Sequence, residues 1–227
     1  KLYLQAWTML AIAAAAAFAW TLSEQEKWHL SWRLIWQILV AFLVSAAALF
    51  PLLGMTAKIK DRMVEGVPLT LDGMDYMQYA TYDEMGYVME LSQDHAAIRW
   101  MQDNVPGSPV IVEANSGRLY RWYSRFSIYT GLPGVVGWEW HQQQQRALNP
   151  PDWVSRRLRE IDAFYTGVDA QPAYKFLQDY NVRYIILGQL EKATYPGAGL
   201  DKFAAQEGTL WRTVYQDRET TIYEVIP

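Results

Sequence analysis

Arginine is the residue whose chemistry stands out. Between Arg118 and Arg159 the sequence carries seven arginines, no lysine and only two acids, Glu139 and Asp152, a local charge of +5 in a chain of net charge −4. A planar guanidinium grips phosphate oxygens through two parallel N–H groups, so an arginine-only positive stretch beside a membrane suits a lipid phosphate or a lipid-linked pyrophosphate. The blander reading is a solvated helix face, because Arg156, Arg157 and Arg159 fall on the polar side of a predicted helix. Both readings stand on sequence alone.

Inside that stretch, Thr130-Gly131-Leu132-Pro133-Gly134-Val135-Val136-Gly137-Trp138-Glu139-Trp140-His141 gathers two tryptophans and a histidine around three glycines and a proline. Such a loop can offer rings to a sugar face and polar tips to hydroxyls. It can equally pack Trp138 against the core and leave His141 at a helix start. His141 is also a candidate general base.

Metal chemistry has little to build on. His29, His95 and His141 are far apart, with no zinc-type spacing. Asp72 with Asp75, or Asp83 with Glu84, are carboxylate pairs of the kind that bind hard cations, but solvated connector acids explain them as well. The chain has no cysteine, which excludes disulfides and thiol nucleophiles. Glycine-rich nucleotide motifs and the serine-hydrolase elbow are missing, and the negative net charge argues against nucleic acid. His29, flanked by Trp28 and Trp32, has the chemistry of an axial pigment ligand and nothing else to support that role.

These residues need elements to position them. No charged residue occurs from Leu2 to Leu22 or from Leu34 to Ala57, and about 20 apolar residues in a helix cross a bilayer. Tyr3, Trp7, Trp20, Trp28, Trp32 and Trp36 sit where headgroups would lie. The predicted fold is therefore a membrane α-helical hairpin of two transmembrane helices, about 2–22 and 34–57 within residues 1–57, followed by an α/β soluble domain with a small mixed sheet. Residues 58–93, with seven acids and three bases, read as an acidic connector with a turn at Asp72-Gly73. Residues 94–227 read as the α/β domain.

Within that domain, Asp94 is placed to cap a helix ending at Asn104, and Pro109–Ala114 suits a buried strand with Glu113 near its end. Helical spacing returns at Trp153–Tyr165 and Pro172–Tyr180. Val182–Gly188 reads as a second buried strand. Thr209–Tyr215 and Thr220–Val225 read as a hairpin with its turn at 216–219. Lys27 and Arg33 lie on one side of the second span against Lys58, Lys60 and Arg62 on the other, a faint lean towards a cytoplasmic domain.

Taken together, Leu69-Thr70-Leu71-Asp72-Gly73-Met74, Asp94-His95-Ala96-Ala97-Ile98-Arg99-Trp100 with Asn104-Val105, Arg125 to His141, and Tyr180–Gly188 with Leu190-Glu191 and Tyr195-Pro196 resemble the C-terminal part of the bacterial and archaeal "YYY" membrane proteins. These are multi-spanning proteins that look like GT-C-type glycosyltransferases. The resemblance covers most of residues 69–205, and Thr130–His141 is its most specific block. It implies sugar transfer from a polyprenyl-phosphate donor, a prokaryotic plasma membrane and an extracytoplasmic domain, the last against the lysine and arginine lean. GT-C-type enzymes keep their catalytic acid and metal-binding carboxylates near the N-terminus of a longer chain. No catalytic residue or metal ligand is therefore assigned here, no cofactor is identifiable, and a divalent cation is expected only through residues upstream of Lys1. Glu113, Arg125, His141 and Arg146 are expected to line the membrane-facing side as substrate-binding residues, with Trp138 as a stacking platform. Expected partners are membrane lipids, a polyprenyl-phosphate sugar donor and other membrane subunits. The alternative is a non-catalytic accessory or scaffold subunit of a larger membrane complex, and a content of 11 Trp and 15 Tyr serves either reading.

Overall fold

Helix α1 (Leu2–Glu24) buries none of its side chains. Its threonines are made fit for an apolar surrounding by internal bonds: the hydroxyls of Thr8 and Thr21 donate to the carbonyls of Leu4 and Ala17, at 2.9 Å each. Helix α2 (Leu30–Leu49) begins at His29, whose ring nitrogen accepts from the Ser31 amide at 3.4 Å, so His29 is an N-cap. Its helical path continues through a π-turn at Phe50–Gly54 into α3 (Met55–Arg62). Pro51 has no N–H to give the ladder, and the wider turn absorbs that loss without a break. The two helices meet near their connection, where Phe18 stacks on Trp36 at 5.9 Å and Gln37 donates to Gln25 at 2.8 Å. Leu2–Lys27 and Leu30–Arg62 are both long and apolar enough to cross a membrane. The second helix starts four residues before the expected 34, because Arg33 lies in its first turn instead of ahead of it.

The computed structural model describes residues 2–146 and 152–227; residues 147–151 of the arginine-rich stretch lie outside them. The chain divides into two units, the first ending at Met63 and the second formed by Val64–Pro227. The second unit thus starts inside the stretch read as connector. Residues 64–93 hold a hairpin of β1 (Thr81–Glu84) and β2 (Tyr87–Glu90), and they send Met74, Met77, Ala80 and Met89 into the core.

The remaining elements are α4 (Leu91–Asn104), β3 (Val110–Val112), α5 (Arg125–Thr130), α6 (Glu139–Gln145), α7 (Trp153–Thr166), α8 (Ala170–Asp179), β4 (Val182–Leu187), α9 (Gln189–Thr194), α10 (Asp201–Ala205), β5 (Trp211–Asp217) and β6 (Thr220–Val225). The main sheet has the order β3-β4-β6-β5, with β3 parallel to β4 and the other pairs antiparallel. Alternation along the strands splits the core in two. Ile111, Tyr184, Ile186 and Ile222 pack with Ile98 and Met101 of α4, while Val112, Ile185 and Tyr223 pack with Ile161 and Phe164 of α7 and Leu177 of α8. This is a helix–sheet–helix sandwich. Helix α4 begins three residues before the expected cap, which puts Asp94 inside its first turn and into the core.

Candidate functional site

In an α/β sheet the carboxyl ends of parallel strands are where a ligand crevice usually opens. Here that place is closed by a buried charge node. Arg125, at the start of α5, is 1 % exposed, and its guanidinium donates to Glu191 through both terminal nitrogens (3.0 and 2.8 Å) and to Asp94 through Nε (2.7 Å). Glu113 lies 3.8 Å away and spends its oxygens on the start of α5, accepting from the Phe126 and Ser127 amides at 2.9 Å each and from the Ser127 hydroxyl at 2.8 Å. Glu191 accepts in addition from the Ala114 and Gly188 amides, both at 2.8 Å, tying the ends of β3 and β4 together. Trp122 donates its indole N–H to Asp94 at 2.7 Å.

Glu113 and Arg125, expected to bind substrate, are thus brought together, but as members of a bonded network shut off from solvent. A guanidinium with three carboxylates around it has no free fork for a phosphate. The seven-arginine stretch does not act as one patch either: Arg125 is internal, and Arg157 lies over the rings of Trp153 and Tyr180 at 4.5 and 5.1 Å.

Burial pushes the Glu113 carboxyl above its ordinary value, against the pull of Arg125 and the α5 amides. Burial also raises Glu191, but the Arg125 charge and its hydrogen bonds outweigh that and leave Glu191 below its ordinary 4.5. The signs of linkage are therefore opposite. Glu113 binds a proton more readily folded than unfolded, so its contribution to stability grows as pH falls from its raised value towards 4.5. The contribution of Glu191 is present above 4.5 and is lost as pH falls through its lowered value. We expect urea midpoints of the Glu113→Gln variant to lack the gain on mild acidification and those of Glu191→Gln to lack the loss below pH 4.5; a pH series of unfolding curves checks both.

Trp138 and His141 form the second cluster. The loop from Asn115 to Ser124 runs beside them, tied to the segment ahead of Trp138 where Asn115 donates its side-chain amide to the Val136 and Gly137 carbonyls at 3.2 Å each. Trp138, capping α6, donates its indole N–H to the Tyr123 carbonyl at 2.9 Å. His141 lies 5.3 Å from the Trp138 ring, and Tyr120 meets both edge-on, at 6.0 Å from Trp138 and 5.5 Å from His141. Tyr120 has a positive φ of 54° and is 69 % exposed, a strained backbone that holds a ring in solvent. Gly117, Arg118 and Glu139 edge the same cleft. Its open volume is about 10 Å³, room for one water at most, so the rim encloses no sugar-sized cavity. Arg146 sits apart from this trio: its Nε donates to Gln142 at 3.0 Å and its guanidinium lies 5.2 Å from the Trp153 ring.

Residues missed by sequence reading are Asp94 and Glu191 in the node and Asn115 and Tyr120 at the rim. Two of them had a signal. Asp94 shares the buried spacing of Ala97, Ile98 and Met101, and Glu191 stands three residues past Gly188 at a helix start. Among the described residues no three His, Asp or Glu side chains are grouped to hold a metal ion.

The sequence matches no family model and no curated protein. Among solved structures it is similar to the C-terminal globular domain of an oligosaccharyltransferase from Archaeoglobus fulgidus, at 14 % identity and a TM-score of 0.37 over 58 % of this chain and 95 % of that one.

Proposed function

We propose that Val64–Pro227 is the membrane-apposed, extracytoplasmic binding domain of a glycosyltransferase-like membrane protein, and that its rim contacts a lipid-linked phosphate or the sugar it carries. The observation behind this reading is the Tyr120–Trp138–His141 cluster, with Tyr120 on a loop that Trp122 ties to Asp94 of the buried node, Trp138 and His141 at the start of α6, and Arg118, which donates to Glu84 at 3.2 Å, beside them. Aromatic faces stack on the apolar side of a sugar ring, and the N–H groups that Arg118 does not spend on Glu84 are left to meet a phosphate. The resemblance of Thr130–His141 to the "YYY" proteins points the same way. Glu113 and Arg125 act as positioning residues in this reading, with no ligand contact of their own.

The test is binding of a short-chain polyprenyl-phosphate sugar, and of the matching polyprenol, to the full chain in lipid nanodiscs. The phosphate should bind more tightly than the alcohol, and Trp138→Ala should weaken binding about tenfold with the fold intact by circular dichroism. Equal binding of phosphate and alcohol, or no effect of Trp138→Ala, would sink this reading. The accessory-subunit reading is favoured by Leu119 and Trp140, about half exposed beside the same rim. It predicts that their replacement by serine releases a co-purifying membrane subunit and leaves lipid-phosphate binding unchanged.

A further inference from the structure

Leu69 and Leu71 are more exposed than any other large apolar side chain among the described residues, at 108 % and 107 % of the reference value. They do not sit on a loose strand. The Thr70 hydroxyl between them accepts from the Asp72 amide at 3.0 Å, Asp72 accepts from the Met74 amide at 2.8 Å and pairs with Arg99 of α4, and Met74 is buried in the core. A turn pinned to the domain on one side therefore holds two leucines outward on the other.

Their position along the chain says what meets them. The charge-free run of the second membrane-length helix ends at Ala57, and Lys58, Lys60 and Arg62 follow it. Cations at that point mark the headgroup layer, where they meet lipid phosphates. From Arg62 to Leu69 is a reach of at most about 25 Å of extended chain. The leucines are thus tethered within reach of the bilayer surface whatever the orientation of the domain.

We propose that the Leu69–Leu71 turn is a membrane-seated contact, both leucines lying in the interfacial layer of the bilayer that the two N-terminal helices cross. The proposal rests on those helices spanning a membrane and is independent of the ligand of the aromatic rim. Apolar side chains flanked by upstream cations are the chemistry of that layer, and their burial in lipid is favourable for the same reason that it is in a core. The contact fixes one edge of the domain on the membrane.

The natural chain has no cysteine, so single-site labelling is clean. Leu69→Cys, Leu71→Cys and, as a control, Val168→Cys, an exposed position between α7 and α8, each carry a nitrobenzoxadiazole label on the full chain in phosphatidylcholine–phosphatidylglycerol vesicles. Labels at 69 and 71 should emit to the blue of the label at 168 and lose emission when lipids carrying a doxyl quencher near the headgroup are added. Emission and quenching equal to those at 168 would overturn the proposal. So would a blue shift without lipid quenching, which would show protein covering the leucines. Because both leucines are wholly exposed, their replacement leaves the fold unchanged, and the far-ultraviolet spectrum of each variant confirms it.

Discussion

Replacing Arg125 by methionine is expected to destabilise the second unit by about 3–5 kcal/mol, the loss that follows when one partner of a buried ion cluster is removed. The cost comes from what remains. Asp94, Glu113 and Glu191 would stay 3, 4 and 0 % exposed with no cation among them, and uncompensated carboxylates in a protein interior are far dearer than the lost attraction itself. Arg125→Lys should recover little, because an ammonium cannot reproduce the two parallel bonds to Glu191 and the Nε bond to Asp94 together. The informative control is the Arg125→Met variant that also carries Asp94→Asn and Glu191→Gln: with the two carboxylates that accept hydrogen bonds from Arg125 neutralised and only Glu113 left, a substantial part of the loss should return. Urea unfolding followed by tryptophan emission measures all three. A loss below about 1 kcal/mol for Arg125→Met would mean that the node is not dry.

The same cluster shows why the fold was more legible than the site. The two membrane-length helices, the strands at 110–112 and 182–187 and the C-terminal hairpin are written in runs and alternations of apolar residues, which are local signals. A four-stranded mixed sheet flanked by helices follows from their order. The β1–β2 hairpin was hidden because its turn, Met85-Gly86, uses a methionine at φ 57° where asparagine is usual, and because its buried partners are methionines spread through an acidic stretch. Arg125 could be read as a phosphate ligand because charge counting treats every arginine of a stretch alike. Its burial depends on Asp94 and Glu191, 31 and 66 residues away, and such pairings have no local trace. Trp138 and His141 were legible as a pair because they are neighbours in sequence; Tyr120, 18 residues from Trp138, joins them only through the path of the loop.

Adding one methyl group at Gly199 should cost about 3 kcal/mol or more, at the upper end of what overpacking does. A Cβ there would lie 2.3 Å from the Thr166 carbonyl oxygen and 2.6 Å from that of Tyr165, both backbone atoms at the end of α7. A flexible side chain could swing away; a helix terminus packed on the sheet cannot. The surroundings raise the cost further. Lys202 donates its ammonium to the carbonyls of Tyr165, Gly167 and Gly199 at 3.1, 2.9 and 2.7 Å, so the group that closes the end of α7 uses the same backbone the methyl would push apart. Phe203, the next residue, is fully buried and lies 5.4 Å from the Trp211 ring, so a displaced α10 opens the core under β5. Gly107→Ala separates this crowding from the effect of backbone conformation alone: Gly107 has φ +74° and no neighbour within 4 Å, so its replacement should cost only about 1 kcal/mol. Thermal melts of both variants, read through the near-ultraviolet signal of the buried aromatics, decide the matter. If Gly199→Ala melts no earlier than Gly107→Ala, the chain after α7 does not approach its terminus as closely as these distances require.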